Sequence, residues 1–297
     1  MTPCKSSCEV DPKNAQDRID IFTNLKKKVL DPFAPDKNEN DHIPVSLTQF
    51  LALLTRFADP TRKYTGMRMY FASYQKDGAP AGIPDTQDGK LILIFVPTMP
   101  GYDIGGYDDL SECWVIYDTN LIHLPTRIQG GNPASDLAYR WIRNYRDNRR
   151  RVANGLNDNG IAVTGNNNFV DTNCLWYQMP VIAGGLVGGR VDCGMIQYIK
   201  DRMAVGVPNP IDGMQISFGA YTGADSIDGQ PPYYQLTALF RLHQATSKTF
   251  LSLGSVSGGD KEGIRHHKHH LFDTDADTGL PCPPADPCSG SEFSPTP

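Results

Sequence analysis

The stretch Thr65 to Asp77, TGMRMYFASYQKD, returns near the other end of the chain as Asp212 to Asp225, DGMQISFGAYTGAD. Aligned on Gly66 and Gly213, both copies run Gly-Met, a large residue two places on, then Phe71 or Phe218, then Tyr74 or Tyr221. Met67, Met69 and Phe71 alternate with Arg68, Tyr70 and Ala72; Met214, Ile216 and Phe218 alternate with Gln215, Ser217 and Gly219. A period of two with aromatic and branched content predicts a strand with one buried face. The leading glycine suits a backbone position where a Cβ would clash. Each copy is followed by a polar, Gly/Pro-containing loop and a second apolar run, Lys90–Pro97 and Tyr234–Leu242. An antiparallel hairpin with a long loop is the simplest geometry joining such pairs.

The echo extends backwards. Amphipathic segments at Ser46–Phe57 and Cys193–Met203 end about ten residues before each glycine, and longer helix candidates precede them at Ala15–Leu30 and Asn132–Leu156. Ser46 is placed to cap its helix, and Asp31-Pro32 to end the first one. Helix, helix, strand, long loop and strand thus occur twice, and a repeat of two long copies predicts tandem units rather than a solenoid. The expected fold is α+β: two tandem related domains, each with helices packed on a small, mainly antiparallel sheet. The divisions expected are a lead-in over 1–12, a first repeat over 13–128, a second over 129–254, and a His/Asp/Pro/Cys-rich tail over 255–297, with the turn-rich TRIQGGN as the boundary. A chain of 297 residues can fill two ordinary cores.

Charge and hydropathy narrow the function classes. The net charge of −5 argues against a dedicated nucleic-acid binder. The longest apolar run, Leu91–Val96, is far short of a membrane span, so no membrane partner is expected. The N-terminus has no apolar signal region, and seven cysteines without a secretory signal predict reduced thiols in a cytoplasm.

The sharpest local cluster is in the tail. His266, His267, His269 and His270 place four imidazoles in five positions, and Asp273, Asp275 and Asp277 alternate just beyond. Imidazole ligates transition metals, and alternating Asp before Gly resembles the start of a calcium loop, so a divalent metal (zinc or calcium) is the one cofactor to consider. The calcium pattern fails in detail: Gly279 falls at loop position seven, and Pro284 stands where a bidentate Glu belongs. A solvated polar tail is the plainer reading of both clusters. Cys282 and Cys288 can pair, join Cys4 and Cys8 around zinc, or remain free thiols; the spacing lacks the usual Cys-x-x-Cys knuckles.

Arg140, Arg143, Arg146, Arg149, Arg150 and Arg151 line one helix and offer a phosphate or nucleic-acid face, against the plainer reading of a solvated helix surface. Arg68 and Tyr70 would project from the outer face of the first core strand as a possible ligand face, and a cleft between the two units is a reasonable place for a ligand. Phosphate-loop, dinucleotide, zinc-protease and nucleophile-elbow motifs are missing, so no catalytic residue is assigned.

The run GMRMYFA from Gly66 to Ala72, the strand Leu91–Pro97 and the closing LPCPP with a later Cys288 resemble a group of uncharacterised proteins of Bacteroidota. In these a glycine-led strand containing Arg and Tyr is followed by a Cys-Pro-Pro tail. The resemblance covers about half of each repeat. The chain departs from it in being duplicated, in keeping the tail only after the second copy, and in having Gln215 and Ser217 where the first copy has Arg68 and Tyr70. It implies a bacterial lineage and a cytoplasmic setting. The expected function is a non-catalytic binding or assembly module in a larger complex, contacting a protein partner or a further copy of itself. The rivals are a metal-dependent enzyme using the tail His and Asp residues, and a phosphate or nucleic-acid binder through the Arg140–Arg151 face.

Overall fold

The chain is described by a computed structural model covering residues 6, 8–80, 82–100, 107–124, 137–146, 174–187, 189–204, 206–221, 236–254 and 264–266. It is an α+β structure of helices and antiparallel sheets. After strand β1 (Glu9–Val10), Asp11 caps helix α1 (Pro12–Ile21), its carboxylate accepting from the amides of Lys13 at 2.9 Å and Asn14 at 3.2 Å. The helix continues through a π turn (Phe22–Lys26) and α2 (Lys27–Leu30) and tightens to a 3-10 turn at Asp31-Pro32, where proline breaks the ladder. Strand β2 (His42–Val45) leads into α3 (Leu47–Phe57), whose Ser46 hydroxyl accepts from Gln49 N at 3.4 Å, as the sequence predicts.

The first hairpin is β3 (Gly66–Ser73) against β4 (Leu91–Met99). Short strands β5 (Tyr107–Asp108), β6 (Trp114–Tyr117) and β7 (Asn120–His123) follow. Helix α4 (Leu137–Asn144) falls within the predicted arginine-rich helix. Next come β8 (Cys174–Gln178), α5 (Met179–Ala183), a small hairpin of β9 (Gly185–Val187) and β10 (Arg190–Asp192), and α6 (Gly194–Met203). The second hairpin is β11 (Ile211–Ala220) against β12 (Leu236–Gln244), then β13 (Phe250–Leu253) and β14 (Ile264–His266).

The two echoing hairpins sit in different sheets. Among the described residues the first sheet has the order β14-β8-β3-β4-β6-β7, with β5 also on β4; the second has the order β1-β13-β12-β11-β2. Each sheet takes strands from both halves of the chain: β2 pairs with β11, and β8 pairs with β3. The inner faces share one apolar cluster, with Met67, Met69, Phe71 and Phe95 from one sheet and Met214, Ile216, Phe218 and Phe240 from the other. Phe71 and Phe218, equivalent positions of the echo, lie 6.4 Å apart between ring centroids. From α3, Phe50 reaches both sheets, 6.4 Å from Phe95 and 5.0 Å from Phe240. Burying one such ring contributes roughly 2–3 kcal/mol. The alternation therefore reads correctly in both copies: the apolar face of each strand points at the shared core.

The outer faces differ. Over the first sheet lies α4, whose Leu137, Ala138, Trp141 and Ile142 pack on Tyr70, Ala72, Tyr74 and Ile94. Over the second lies α1, with Ala15 and Ile19 against Leu239 and Val10. Cys8, Cys113 and Cys174 are buried free thiols, and burial pushes the Cys8 thiol up to about 12. Cys193 is disulfide-bonded, which corrects the expectation of uniformly reduced cysteines. Among the described residues no helix is long and apolar enough to cross a membrane.

Candidate functional site

Arg68 and Tyr70 do share the outer face of β3, but that face is closed. Arg68 is 0% exposed and Tyr70 1%. Arg68 Nη1 donates to Asp108 Oδ1 at 2.5 Å, and the Tyr70 hydroxyl to Asp108 Oδ2 at 2.7 Å. A buried charge needs a partner and further hydrogen bonds, and strand β5 delivers that partner. The Trp176 indole, beside Arg68 in the ladder, donates to Thr98 Oγ1 at 3.2 Å. A second network closes the same end. Glu112 accepts from Arg56 Nε at 2.7 Å, Arg62 Nη1 at 2.7 Å and Trp114 Nε1 at 3.0 Å. Burial works to raise the Glu112 carboxyl, but those donors outweigh it and hold it at about 2. Both networks tie loops to the sheet.

The other predicted groups separate. Arg140 donates to the Asp77 carbonyl at 2.9 Å, and its neighbour Trp141 to the Gln75 carbonyl at 3.1 Å, so this part of the arginine helix holds the loop after β3. Arg149, Arg150 and Arg151 lie outside the described residues, as do His267, His269, His270, Asp273, Asp275 and Asp277. Of His266 only the backbone is described, in β14, opposite Leu175. Among the described residues no group of three or more His, Cys, Asp or Glu side chains is placed to hold a metal ion.

Among the described residues, one concavity the sequence did not reveal in detail is a cleft of about 210 Å³ where the edge of the second sheet meets the first. It is lined by Ile43, Ile92 and Ile116 and by the polar groups of Asn40, His42, Gln87, Tyr117 and Asp118, with Pro44 on its border. Two local devices build it. Asp118 and Thr119 both have positive φ, 44° and 66°, at the centre of the two-residue turn joining β6 to β7, the mirror-image turn that suits twisted hairpins. That turn brings Thr119 N to the Pro44 carbonyl at 3.3 Å and locks β2 against it. On the other side Asn40 Nδ2 donates to both Gln87 Oε1 and the Leu91 carbonyl, each at 3.0 Å.

Strand register orients the main chain of β2. The Phe218 amide donates to the Asp41 carbonyl at 2.9 Å, so Asp41, Ile43 and Val45 exchange bonds with β11. By alternation His42 and Pro44 turn their backbone groups away from β11: the Pro44 carbonyl meets Thr119 N, and the groups of His42 face the edge. Proline has no amide to offer there, so an added strand gains little at this edge. The His42 ring is held by Asp41, Nδ1 to Oδ1 at 2.5 Å. Burial, and then the charge of Asp118, raise the Tyr117 phenol, keeping it neutral and able to donate. The cleft therefore offers an apolar floor, a hydrogen-bonding rim and a carboxylate at Asp118, with Asp41 behind the His42 ring. Nothing about 40, 42–44, 87, 92 and 116–118 forms a motif, since four separate segments contribute. No family model matches the chain, and no curated protein and no solved structure matches it.

Proposed function

We propose that the protein is a non-catalytic binding module whose cleft receives one apolar side chain from a basic segment of a protein partner. The observation that carries this reading is the cleft's size and lining together. At about 210 Å³ it is smaller than the roughly 300–1,000 Å³ of typical small-molecule sites, and an isoleucine floor suits a single aliphatic side chain. The free backbone of His42 can meet the partner's main chain, and Asp41 and Asp118 favour neighbouring cations. In the same reading the chain is a duplicated unit. What supports duplication is the repeated hairpin and the contact between the equivalent Phe71 and Phe218. The cleft lies between the two sheets, and all of its lining residues come from the first half of the chain.

Short capped peptides test this directly. With the isoleucine methyls isotope-labelled, a Lys-Leu-Lys peptide is expected to shift Ile43, Ile92 and Ile116 with a Kd on the order of tens of millimolar, since burying one leucine contributes only about 2 kcal/mol. Glu-Leu-Glu binds several-fold more weakly, and the cleft-filling variant Gln87→Trp abolishes both shifts. Methyls that do not move, or that move equally in Gln87→Trp, would refute the reading.

A further inference from the structure

Counted from the shared glycine, the two hairpins each set one arginine on the outer face in the same cross-strand pair, but on opposite strands. In the first sheet the pair is Arg68 on β3 opposite Val96 on β4; in the second it is Gln215 on β11 opposite Arg241 on β12. Arg68 is neutralised by Asp108 and the Tyr70 hydroxyl supports the same carboxylate. Arg241 has no such partner: among the described residues no carboxylate lies within ion-pair distance of it. Its guanidinium carbon sits 4.2 Å from the centroid of the Phe250 ring, and its buried Nε makes no hydrogen bond. Burial alone pulls the guanidinium below its usual pKa, with no anion opposing it. A half-buried cation without a counter-ion is costly unless something supplies one.

The surroundings are those of a receptor for one negative charge. Gln215 and Ser252 flank Arg241 in the ladder, and the Gln215 amide donates to Ser217 Oγ at 2.9 Å. The nearest ladder acid, Asp212, is engaged by His243, Nδ1 to Oδ1 at 2.5 Å. Helix α1 covers the far end of this face, at Leu239 and Gly219, and leaves Gln215 and Arg241 partly exposed. We infer that Arg241, stacked on Phe250 and flanked by Gln215 and Ser252, is the anchor of a carboxylate-binding site on the outer face of the second sheet. The guanidinium fork matches a carboxylate in two-point geometry, and Asp212 two positions along the ladder disfavours a more highly charged anion such as phosphate.

The carboxylate can belong to a free small acid or to a peptide C-terminus, and one titration separates them. The Arg241 Nε–H resonance of the full chain is followed during addition of sodium acetate, with sodium chloride at matched ionic strength as control. Acetyl-Ala-Ala with a free C-terminus and the same peptide amidated form the second arm. Acetate is expected to give a saturable shift that chloride does not reproduce. Binding of the free-acid peptide at least tenfold tighter than acetate, lost on amidation, assigns a peptide C-terminus; equal affinities assign a small acid. In Arg241→Gln the shifts of the neighbouring Gln215 side-chain amide vanish. A second variant places the missing charge inside the protein: Gln215→Glu sets an acid directly across the strand pair from Arg241, raises Tm by about 1–3 °C and blocks acetate. Coincident acetate and chloride titrations, acetate shifts that persist at Gln215 in Arg241→Gln, or undiminished acetate binding in Gln215→Glu each overturn the inference.

Discussion

The two echoing hairpins have the same inner face and opposite outer faces. On the inside, Met67, Met69 and Phe71 meet Met214, Ile216 and Phe218 across one core, so the shared pattern answers one packing demand. On the outside, the first hairpin is sealed by α4 and carries a fully buried ion pair, Arg68 with Asp108. The second is only partly roofed by α1 and keeps Arg241 at its margin with an aromatic ring and, among the described residues, no acid. The leading glycine follows the same division. A Cβ on Gly66 would come within 2.4 Å of the Tyr177 carbonyl and 2.6 Å of the Trp176 indole nitrogen, whereas on Gly213 it would meet nothing closer than His243 Cβ at 3.7 Å. One half of the repeat has been closed into structure; the other retains room and charge.

The glycines give the largest expected effect. Gly66→Ala must push strand β8 away from β3 and is expected to cost more than about 3 kcal/mol in chemical denaturation. Gly213→Ala is expected to change stability by no more than about 0.5 kcal/mol. Equal costs would erase the distinction between the two hairpins.

Acid titration probes the sealed end of the first sheet. Glu112 is held at about 2, below its usual value near 4.5, so its contribution is complete above that usual value and is lost as pH falls from about 4.5 to about 2. Linkage alone would put this at roughly 3 kcal/mol, and solvent reaching Arg56 and Arg62 reduces it to about 1–2 kcal/mol. Glu112→Gln should lose that amount at pH 7 and flatten the stability profile between those pH values, as read by urea midpoints. A steep profile that persists in the variant would place the titrating group elsewhere.

The smallest effect tests the shared core. The Tyr177 hydroxyl is fully buried with no hydrogen-bond partner among the described residues, and burial pushes its pKa well up. Tyr177→Phe should be neutral or stabilising by up to about 1 kcal/mol, because it removes an unsatisfied polar group and keeps the ring against Phe240. A clear loss of thermal stability would mean that the hydroxyl is satisfied.

Much of the local structure was legible. Period-two alternation placed the inner faces of both hairpins, Ser46 marked the start of α3, and Asp31-Pro32 marked the end of the first helical run. Partnership was less legible, because alternation says which way a side chain points and not which strand lies beside it. The segment His42–Val45 is four residues with a proline, too short to show a period, yet it edges the second sheet and borders the cleft. Arg68 and Tyr70 were rightly placed on the outer face. Their closure depended on Asp108, forty residues away in a two-residue strand with no pattern of its own. Arg241 drew no notice in the sequence, since an arginine in an apolar run becomes informative only once the acids around it are known.

The contrast between the arginines is tested most directly by denaturing Arg68→Met and Arg241→Met side by side at pH 7. Removing Arg68 strands the buried Asp108 carboxylate and is expected to cost about 3–5 kcal/mol. Replacing Arg241 leaves no buried acid behind and keeps an apolar contact with Phe250, so its stability should change by no more than about 1 kcal/mol. Similar large losses in both variants would show that Arg241 is already neutralised within the fold, contradicting an outer face left open for a ligand.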